Sequence, residues 1–190
     1  MKQILFILIL MIAYGGFSQN SPRNRKLFHF DNRGIKPDSV VVHIDSLTTQ
    51  QLLNKMTVWA KTSKIKGCKI EVFSSFIGED ITIKGKCRNL IRSKNNSGIN
   101  PIKTGKFTIE LKVDFCCYTF QPQSFKYSNG LGVFNNMSIK ENSISIFKNN
   151  GEIREGFQLF PSAIQNLFNM VEASLYYYLK TGEQLVFKYY

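Results

Sequence analysis

The sequence predicts an α+β fold: a curved antiparallel sheet with helices packed on one face, in the order β-α-β-β-β-β-α. Two segments carry apolar residues at helical spacing behind a helix start signal. The segments between them alternate apolar and polar residues, which is typical of half-buried strands. Because 43% of the 190 residues are hydrophobic, the chain can bury one sizeable core.

The first 18 residues have the pattern of a secretory signal peptide. A basic start at Met1-Lys2 precedes an almost entirely apolar run over residues 4–13, and Gly16 and Ser18 are small. We therefore expect cleavage before Gln19 and an extracytoplasmic protein, periplasmic or secreted, with no integral membrane span. An uncleaved anchor is the alternative, although the apolar run is short for a span. Without Lys2 the chain has 24 basic and 13 acidic residues, a net charge of +11.

Residues 19–38 follow the signal and are interpreted as a flexible leader. They contain Pro22 and Gly34 and show no apolar period, so only one short extended piece is expected, at residues 27–30. A single α+β domain is predicted over residues 39–190. It begins with a strand at Ser39–Ile44, where β-branched residues are concentrated.

The first helix is predicted over Leu47–Lys61. Thr48 and Gln51 have the spacing of a capping box, in which each side chain bonds the backbone N–H of the other residue. The apolar residues that follow recur at helical spacing on one face. That face carries the only tryptophan of the chain, Trp59, and needs a sheet to cover it.

A β-hairpin is predicted from two alternating segments, residues 69–77 and 81–88, with a turn at residues 78–80. An antiparallel register with a tight turn brings Cys68 opposite Cys87. The pair is therefore a candidate disulfide, which an extracytoplasmic location permits. Two buried free thiols are the alternative, because the register is not fixed to one residue by the pattern.

The next segment, residues 89–105, is polar and rich in Asn and Gly, so it is predicted to be a long exposed loop. Residues 106–113 alternate most cleanly of all and predict a strand. The chain is expected to return as a second strand at residues 116–121 and to stay extended beyond it. A final alternating strand is predicted at residues 184–190.

The second helix is predicted near the C-terminus. Ser162 and Gln165 repeat the spacing of a capping box, and an apolar stripe then runs to Gly182, a typical helix end. A second small hairpin is expected before this helix, because residues 143–147 alternate and Asn150-Gly151 is a turn signal.

Several of these segments also carry a family resemblance. The relevant parts are Ser46-Leu47 through Trp59-Ala60, the Lys69-to-Arg88 hairpin with Gly78 and Gly85, and the Lys106-to-Tyr127 strands ending in Phe125-Lys126-Tyr127. Over residues 39–130 the chain resembles a secreted bacterial family known only as a domain of unknown function with a TBP-like fold. The resemblance implies that fold and an extracytoplasmic location. It implies no activity, substrate or catalytic residue.

The leading functional hypothesis is a non-enzymatic module that binds an unknown ligand or envelope protein. The binding surface would be its exposed sheet face or the region beside its C-terminal helix. No catalytic, cofactor or metal site is predicted, because the four cysteines lack zinc spacing and His29 and His43 are remote from them in sequence. No nucleic-acid partner is expected either, since the basic residues are scattered.

Two alternatives stay open. The first is an envelope hydrolase or a thiol-dependent enzyme with an unrecognised site. A cysteine–histidine site of His43 with Cys116 or Cys117 would need their strands to be neighbours. Anion binding, including binding to anionic membrane surfaces, would use the basic loops. The residues of this candidate anion-binding surface are Lys64, Lys66, Lys69, Arg88, Arg92 and Lys94.

Overall fold

The computed structural model describes residues 25–45, 47–74, 80–92, 102–128, 133–139 and 146–186. No helix within these ranges is long and apolar enough to cross a membrane. The described elements, in chain order, are β1 (His29–Asp31), β2 (Gly34–Lys36), β3 (Val40–His43), α1 (Thr49–Thr62), β4 (Cys68–Ser74), β5 (Asp80–Arg92), β6 (Ile102–Asp114), β7 (Cys117–Ser128), β8 (Asn135–Met137) and α2 (Phe160–Thr181).

Strands β3 to β8 form one antiparallel sheet. Its order is β3-β7-β6-β5-β4, with β8 added alongside β7. Side chains alternate between the two faces, so Ile83 of β5 and its partner Ile109 of β6 are both fully buried on one face. The predicted α+β architecture, an antiparallel sheet with helices on one face, is confirmed.

Both helices cover the buried face of the sheet. α1 packs against β4 and β6, while α2 packs against β5 and α1. Trp59 of α1 is fully buried, and its Nε1 donates a hydrogen bond to Ser174 Oγ of α2 at 3.1 Å. Phe168 of α2 meets Phe107 of β6 edge-on, with ring centroids 6.2 Å apart. The apolar face predicted for the first helix is therefore the face that packs.

The N-terminal residues form an ordered hairpin, so the flexible leader expected over residues 19–38 is wrong for the described part, which starts at residue 25. β1 pairs with β2, and Phe30 and Ile35 are each 2% exposed. Burial of these apolar side chains offsets the entropy lost on ordering. Gly34, which suggested a break, has a φ of 92° in the turn of this hairpin.

Polar side chains of α2 hold the hairpin against the domain. Asn169 Oδ1 accepts hydrogen bonds from the backbone N–H groups of Leu27 and Phe28 at 2.9 and 2.8 Å, and its Nδ2 donates to Phe28 O. Gln165 Oε1 accepts from the Phe30 N–H at 3.3 Å. Asn169 is 7% exposed, so its amide replaces the backbone partners that a strand edge would otherwise lack.

The long loop predicted for residues 89–105 is also wrong where the structure describes it. β5 continues to Arg92 and β6 begins at Ile102. The register shifts between Cys87 and Ile91, and Asn89 has a φ of 58°, so a bulge interrupts the alternation that would have revealed the strand. Leu90 and Ile91 are buried after the bulge.

Only the first predicted capping box is present. The Gln51 N–H donates to Thr48 Oγ1 at 3.3 Å, and the Thr48 N–H donates to the Gln51 side chain at 2.9 Å. The second box is wrong because α2 begins earlier, at Phe160, which leaves Ser162 inside the helix. The Ser162 hydroxyl instead donates to Leu159 O.

The C-terminal predictions are only partly met. Gly182 ends α2 with a φ of 76°, as expected. Phe147 and Ile153 form a β-bridge across the predicted turn, whereas residues 140–145 lie outside the described part. Residues 183–186 form no strand, and the remainder of the predicted final strand, residues 187–190, also lies outside it.

Substitution of Gly85 tests the register of β5 and β6. Gly85 is the partner of Phe107, and a Cβ at Gly85 would overlap the Phe107 ring, which is 2% exposed. We expect Gly85→Ala to lower the free energy of unfolding in urea by about 1–3 kcal/mol. Adding Phe107→Leu should restore part of this loss, because the smaller side chain leaves room. Strictly additive losses would contradict the contact.

The cross-strand cysteine pair gives a second test. Cys68 and Cys87 are partners in the register of β4 and β5 and are joined by a disulfide across a separation of 19 residues. A disulfide that closes a loop of this length restricts the unfolded chain. We therefore expect Cys68→Ala with Cys87→Ala to lower the free energy of unfolding by about 3 kcal/mol. Cys117→Ser is the control, since Cys117 is a free thiol. Equal stability of wild type and double variant would contradict the bridge.

Candidate functional site

Among the residues that the structure describes, one face of the sheet carries no helix. We call it the helix-free face and define it by the outward side chains of β4, β5, β6 and β7. The alternation that buries Ile83 and Ile109 points their chain neighbours Lys84 and Thr108 to this face. Most described side chains on it are exposed or half-buried, and many are charged. It is the surface on which the leading functional hypothesis places a ligand.

Four lysines lie in register across the helix-free face. Lys69 of β4 is the partner of Lys86 of β5, Lys86 is the partner of Lys106 of β6, and Lys106 is the partner of Lys126 of β7. All four side chains are exposed. We call this set the lysine row. Directly opposed side chains in a sheet have Cβ atoms about 5 Å apart, so the row places like charges side by side.

The ammonium groups of the row have few acidic partners. Lys69 Nζ lies 2.8 Å from Glu71 Oε1 at the end of the row. Within the described part of the chain, no carboxylate lies within 4.0 Å of Lys86, Lys106 or Lys126. Lys106 Nζ instead lies 3.9 Å from the centroid of the Phe134 ring, a cation–π contact that holds the side chain over the sheet.

The anion-binding surface predicted from the sequence only partly overlaps this row. Lys64, Lys66 and Arg88 are exposed, and the Arg88 N–H donates to Gly67 O at 2.8 Å, which places Arg88 beside the turn that follows Lys66. Lys69 alone belongs to the row. The Arg92 side chain and Lys94 lie outside the described part. The surface as first defined stays a prediction.

The structure does bring His43 next to Cys117. They are register partners on β3 and β7, and Asp114 is the partner of Cys117 on the other side. Burial raises the pKa of the Cys117 thiol, and the Asp114 carboxylate and Cys116 raise that pKa further. A nucleophilic cysteine needs a lowered pKa. The geometry therefore allows the conceived thiol site, but its electrostatics favour the protonated, unreactive form.

A polar cluster beneath the sheet was not predicted from the sequence. Glu172 of α2 is fully buried, accepts a hydrogen bond from Tyr118 Oη at 3.1 Å, and lies 3.4 Å from Arg25 Nη1. Burial raises the pKa of Glu172 to about 7, while Arg25 and Tyr118 act in the opposite direction. Arg25 also stacks on Tyr176, 3.9 Å from its centroid. Glu172 is closed to solvent, whereas the Arg25 side chain is 24% exposed, and the contacts tie the N-terminal segment to α2.

The other described surfaces have fewer unpaired polar groups that could bind a ligand. An open depression of about 760 Å³ is lined by residues 148–150, Arg154, Glu155 and Phe157. Its two basic side chains are already engaged: Lys148 pairs with Glu152 at 2.8 Å, and Arg154 Nε donates to Phe147 O. Among the residues that the structure describes, no group of three or more His, Cys, Asp or Glu side chains could hold a metal ion.

Comparison with known proteins supports the fold and nothing finer. No protein-family model and no curated protein matches the chain. The chain is similar in structure to a DUF4468 family protein from Bacteroides ovatus, with a TM-score of 0.51, 11% identity, and coverage of 71% of this chain and 83% of that one. It also matches a TBP-like protein from Parabacteroides distasonis, with a TM-score of 0.46, 15% identity, and coverage of 74% and 87%. At these identities the likeness concerns the fold alone.

The pKa of Glu172 predicts a pH-dependent stability. Its folded-state pKa of about 7 lies above the ordinary value of 4.5, so its proton stabilises the folded protein at low pH. This contribution is lost as pH rises from about 4.5 to about 7, and amounts to about 3 kcal/mol.

Urea unfolding at pH 5 and pH 8 measures this loss. In the wild type, the free energy of unfolding should lose the Glu172 contribution between pH 5 and pH 8. In Glu172→Gln, whose side chain stays neutral, this loss of about 3 kcal/mol should be absent. Glu155→Gln, at an exposed carboxylate, is the control. The same pH dependence in wild type and Glu172→Gln would refute the buried, protonated carboxyl.

Proposed function

We propose that this protein is an exported, non-enzymatic binding module that takes an anionic ligand on its helix-free face. The lysine row is the observation that carries the proposal. Like charges directly opposite each other destabilise a sheet, yet here four lysines are aligned and three of them lack a nearby carboxylate in the described residues. A bound anion would relieve this repulsion, so the row favours such a ligand.

The alignment of like charges is confined to the lysine row and does not extend over the rest of the helix-free face. Asp80 is the partner of Lys112, and Glu71 is the partner of Lys84, so opposite charges face each other in other rows of this face. Charge pairing of this kind is the ordinary solution for an exposed sheet face. Because the lysine row departs from it, the row is better explained by a ligand than by general surface solvation.

The proposed extracytoplasmic location rests on separate features. The signal pattern of residues 1–18 is one of them. The disulfide between Cys68 and Cys87 is the other, since such bonds persist in oxidising compartments. Cleavage before Gln19 remains part of the proposal.

Binding of sulfated dextran to the purified protein, measured by calorimetry at several salt concentrations, tests the proposed surface. Lys86→Glu with Lys126→Glu reverses two charges of the row and should weaken binding about tenfold or more, because charge-assisted contacts are replaced by repulsion. The loss should shrink as salt is added, since exposed charges are screened.

The matched control is Lys64→Glu with Lys66→Glu. It changes the net charge by the same amount at exposed positions outside the row. We expect the control to keep most of the affinity of the wild type. An equal loss in both variants would mean that net charge or the basic loop binds the anion, and the proposed surface would then be wrong.

A further inference from the structure

The lysine row is straight and has a defined length. Neighbouring strands lie about 4.8 Å apart, so the three steps from Lys69 to Lys126 span about 14 Å across the strands. The positions are evenly spaced because each pair is directly opposed. An extended ligand that lies across the strands would therefore meet one ammonium group at each step.

Acidic side chains on the same face favour a linear ligand over a flat anionic surface such as a membrane. Glu71, Asp80 and Glu110 all lie on the helix-free face, in rows beyond the lysine row. An anionic membrane pressed flat against the face would bring its headgroups against these carboxylates, which would repel them. A chain confined to the row meets ammonium groups and lies away from Asp80 and Glu110, so Glu71, which pairs with Lys69 at 2.8 Å, is the one of these three carboxylates that it would approach.

The aromatic rings on this face do not form a stacking platform for bases. Lys106 Nζ lies 3.9 Å from the centroid of Phe134, and Lys84 Nζ lies 4.6 Å from that of Phe73. Each ring thus has one face covered by an ammonium group. Single-stranded nucleic acids bind on aromatic side chains that stack with successive bases. The rings instead fix the lysine side chains, which lowers the entropy cost of ordering them on a ligand.

Uncharged polar groups flank the row. Asn136 of β8 is the partner of Lys126 and extends the line by one exposed amide. Thr108 and Ser124 are partners in the next row and are half-buried. Amides and hydroxyls both donate and accept hydrogen bonds, which is what sugar hydroxyls require.

Resting on the proposed function, we propose that the lysine row binds a linear acidic polysaccharide that lies across the strands and carries about one negative charge per sugar. Neighbouring strands are about 4.8 Å apart, a step comparable to the length of one pyranose unit in a linear glycan. Four consecutive acidic sugars would then span the four lysines of the row. The flanking amide and hydroxyls would contact the sugar hydroxyls.

Calorimetric titration of the purified protein with oligogalacturonates of two, four and eight units tests the length of the site. The tetramer spans all four lysines, so we expect it to bind about tenfold or more tightly than the dimer. The octamer should gain much less over the tetramer than the tetramer gains over the dimer, because the described residues place no further lysine on the line. Equal affinities of dimer and tetramer would overturn the proposal.

A variant at one end of the row sharpens this test. Lys126→Ala should lower the affinity for the tetramer several-fold and the affinity for the dimer much less, since a dimer can bind the other lysines. Lys61→Ala is the matched control, since Lys61 is exposed on α1 and belongs neither to the row nor to the basic loops, and it should change neither affinity. Equal losses for both oligomers would overturn the linear arrangement.

Two competitors separate this ligand from other polyanions. A thymidine octanucleotide and vesicles containing phosphatidylglycerol should each bind more weakly than the galacturonate tetramer at equal charge concentration. Tighter binding of either would overturn the polysaccharide. The proposed function has its own test, because loss of sulfated dextran binding in Lys86→Glu with Lys126→Glu would still place an anion site on the row. Failure of the dextran test would remove both proposals.

Discussion

The pairing register of β5, β6 and β7 is the constraint that determines both faces of the sheet. The register that buries Ile83 against Ile109 also aligns Lys86 with Lys106 on the opposite face. A slip of one residue would expose the apolar side chains and bury the lysines, at a cost of many kcal/mol. The core thus enforces the lysine row. The two register shifts, after Cys87 and after Thr108, lie on either side of the row and leave its pairing regular.

Buried polar groups serve the fold and exposed ones remain free for a ligand. Asn169 and Glu172 of α2 hold the N-terminal segment, and Ser174 of the same helix bonds Trp59 of α1. Each of these contacts is on the helix-covered side of the sheet. They fix the two helices and the β1–β2 hairpin there, and so leave the other face open. The raised pKa of Glu172 is a consequence of that burial, and the group has no access to a ligand.

Local patterns predicted the elements whose signals are contained within a few residues. The α1 capping box and the strand at residues 106–113 are such cases, and the fold class followed from their order. The N-terminal hairpin was missed because it is held by burial of its apolar side chains and by contacts of the preceding residues with Asn169, more than 140 positions away. The bulge near Asn89 hid the continuation of β5. Long-range packing and irregular pairing are not visible as a local period.

The candidate site was harder to predict for the same reason. Each lysine of the row stands at an outward strand position that looks like ordinary solvation, and only the register of four strands brings them together. The basic loop residues Lys64 and Lys66 are close in sequence, so a local pattern is enough to predict them as a candidate anion-binding surface. Lys86, Lys106 and Lys126 each share the parity of outward residues on their strands. This parity predicts a common face, but only the pairing of the strands shows that the three lysines are neighbours.

The most direct measurement of the central claim is the stability of two charge reversals at low and high salt. Lys86 has a lysine partner on each side, so Lys86→Glu should raise the free energy of unfolding by about 0.5–1 kcal/mol at low salt, and the gain should fade at high salt. Lys112 has Asp80 as its partner and lies 3.9 Å from Glu110, so Lys112→Glu should destabilise the protein. Destabilisation by both substitutions to the same extent would contradict a row in which Lys86 is flanked by lysines and has no carboxylate nearby among the described residues.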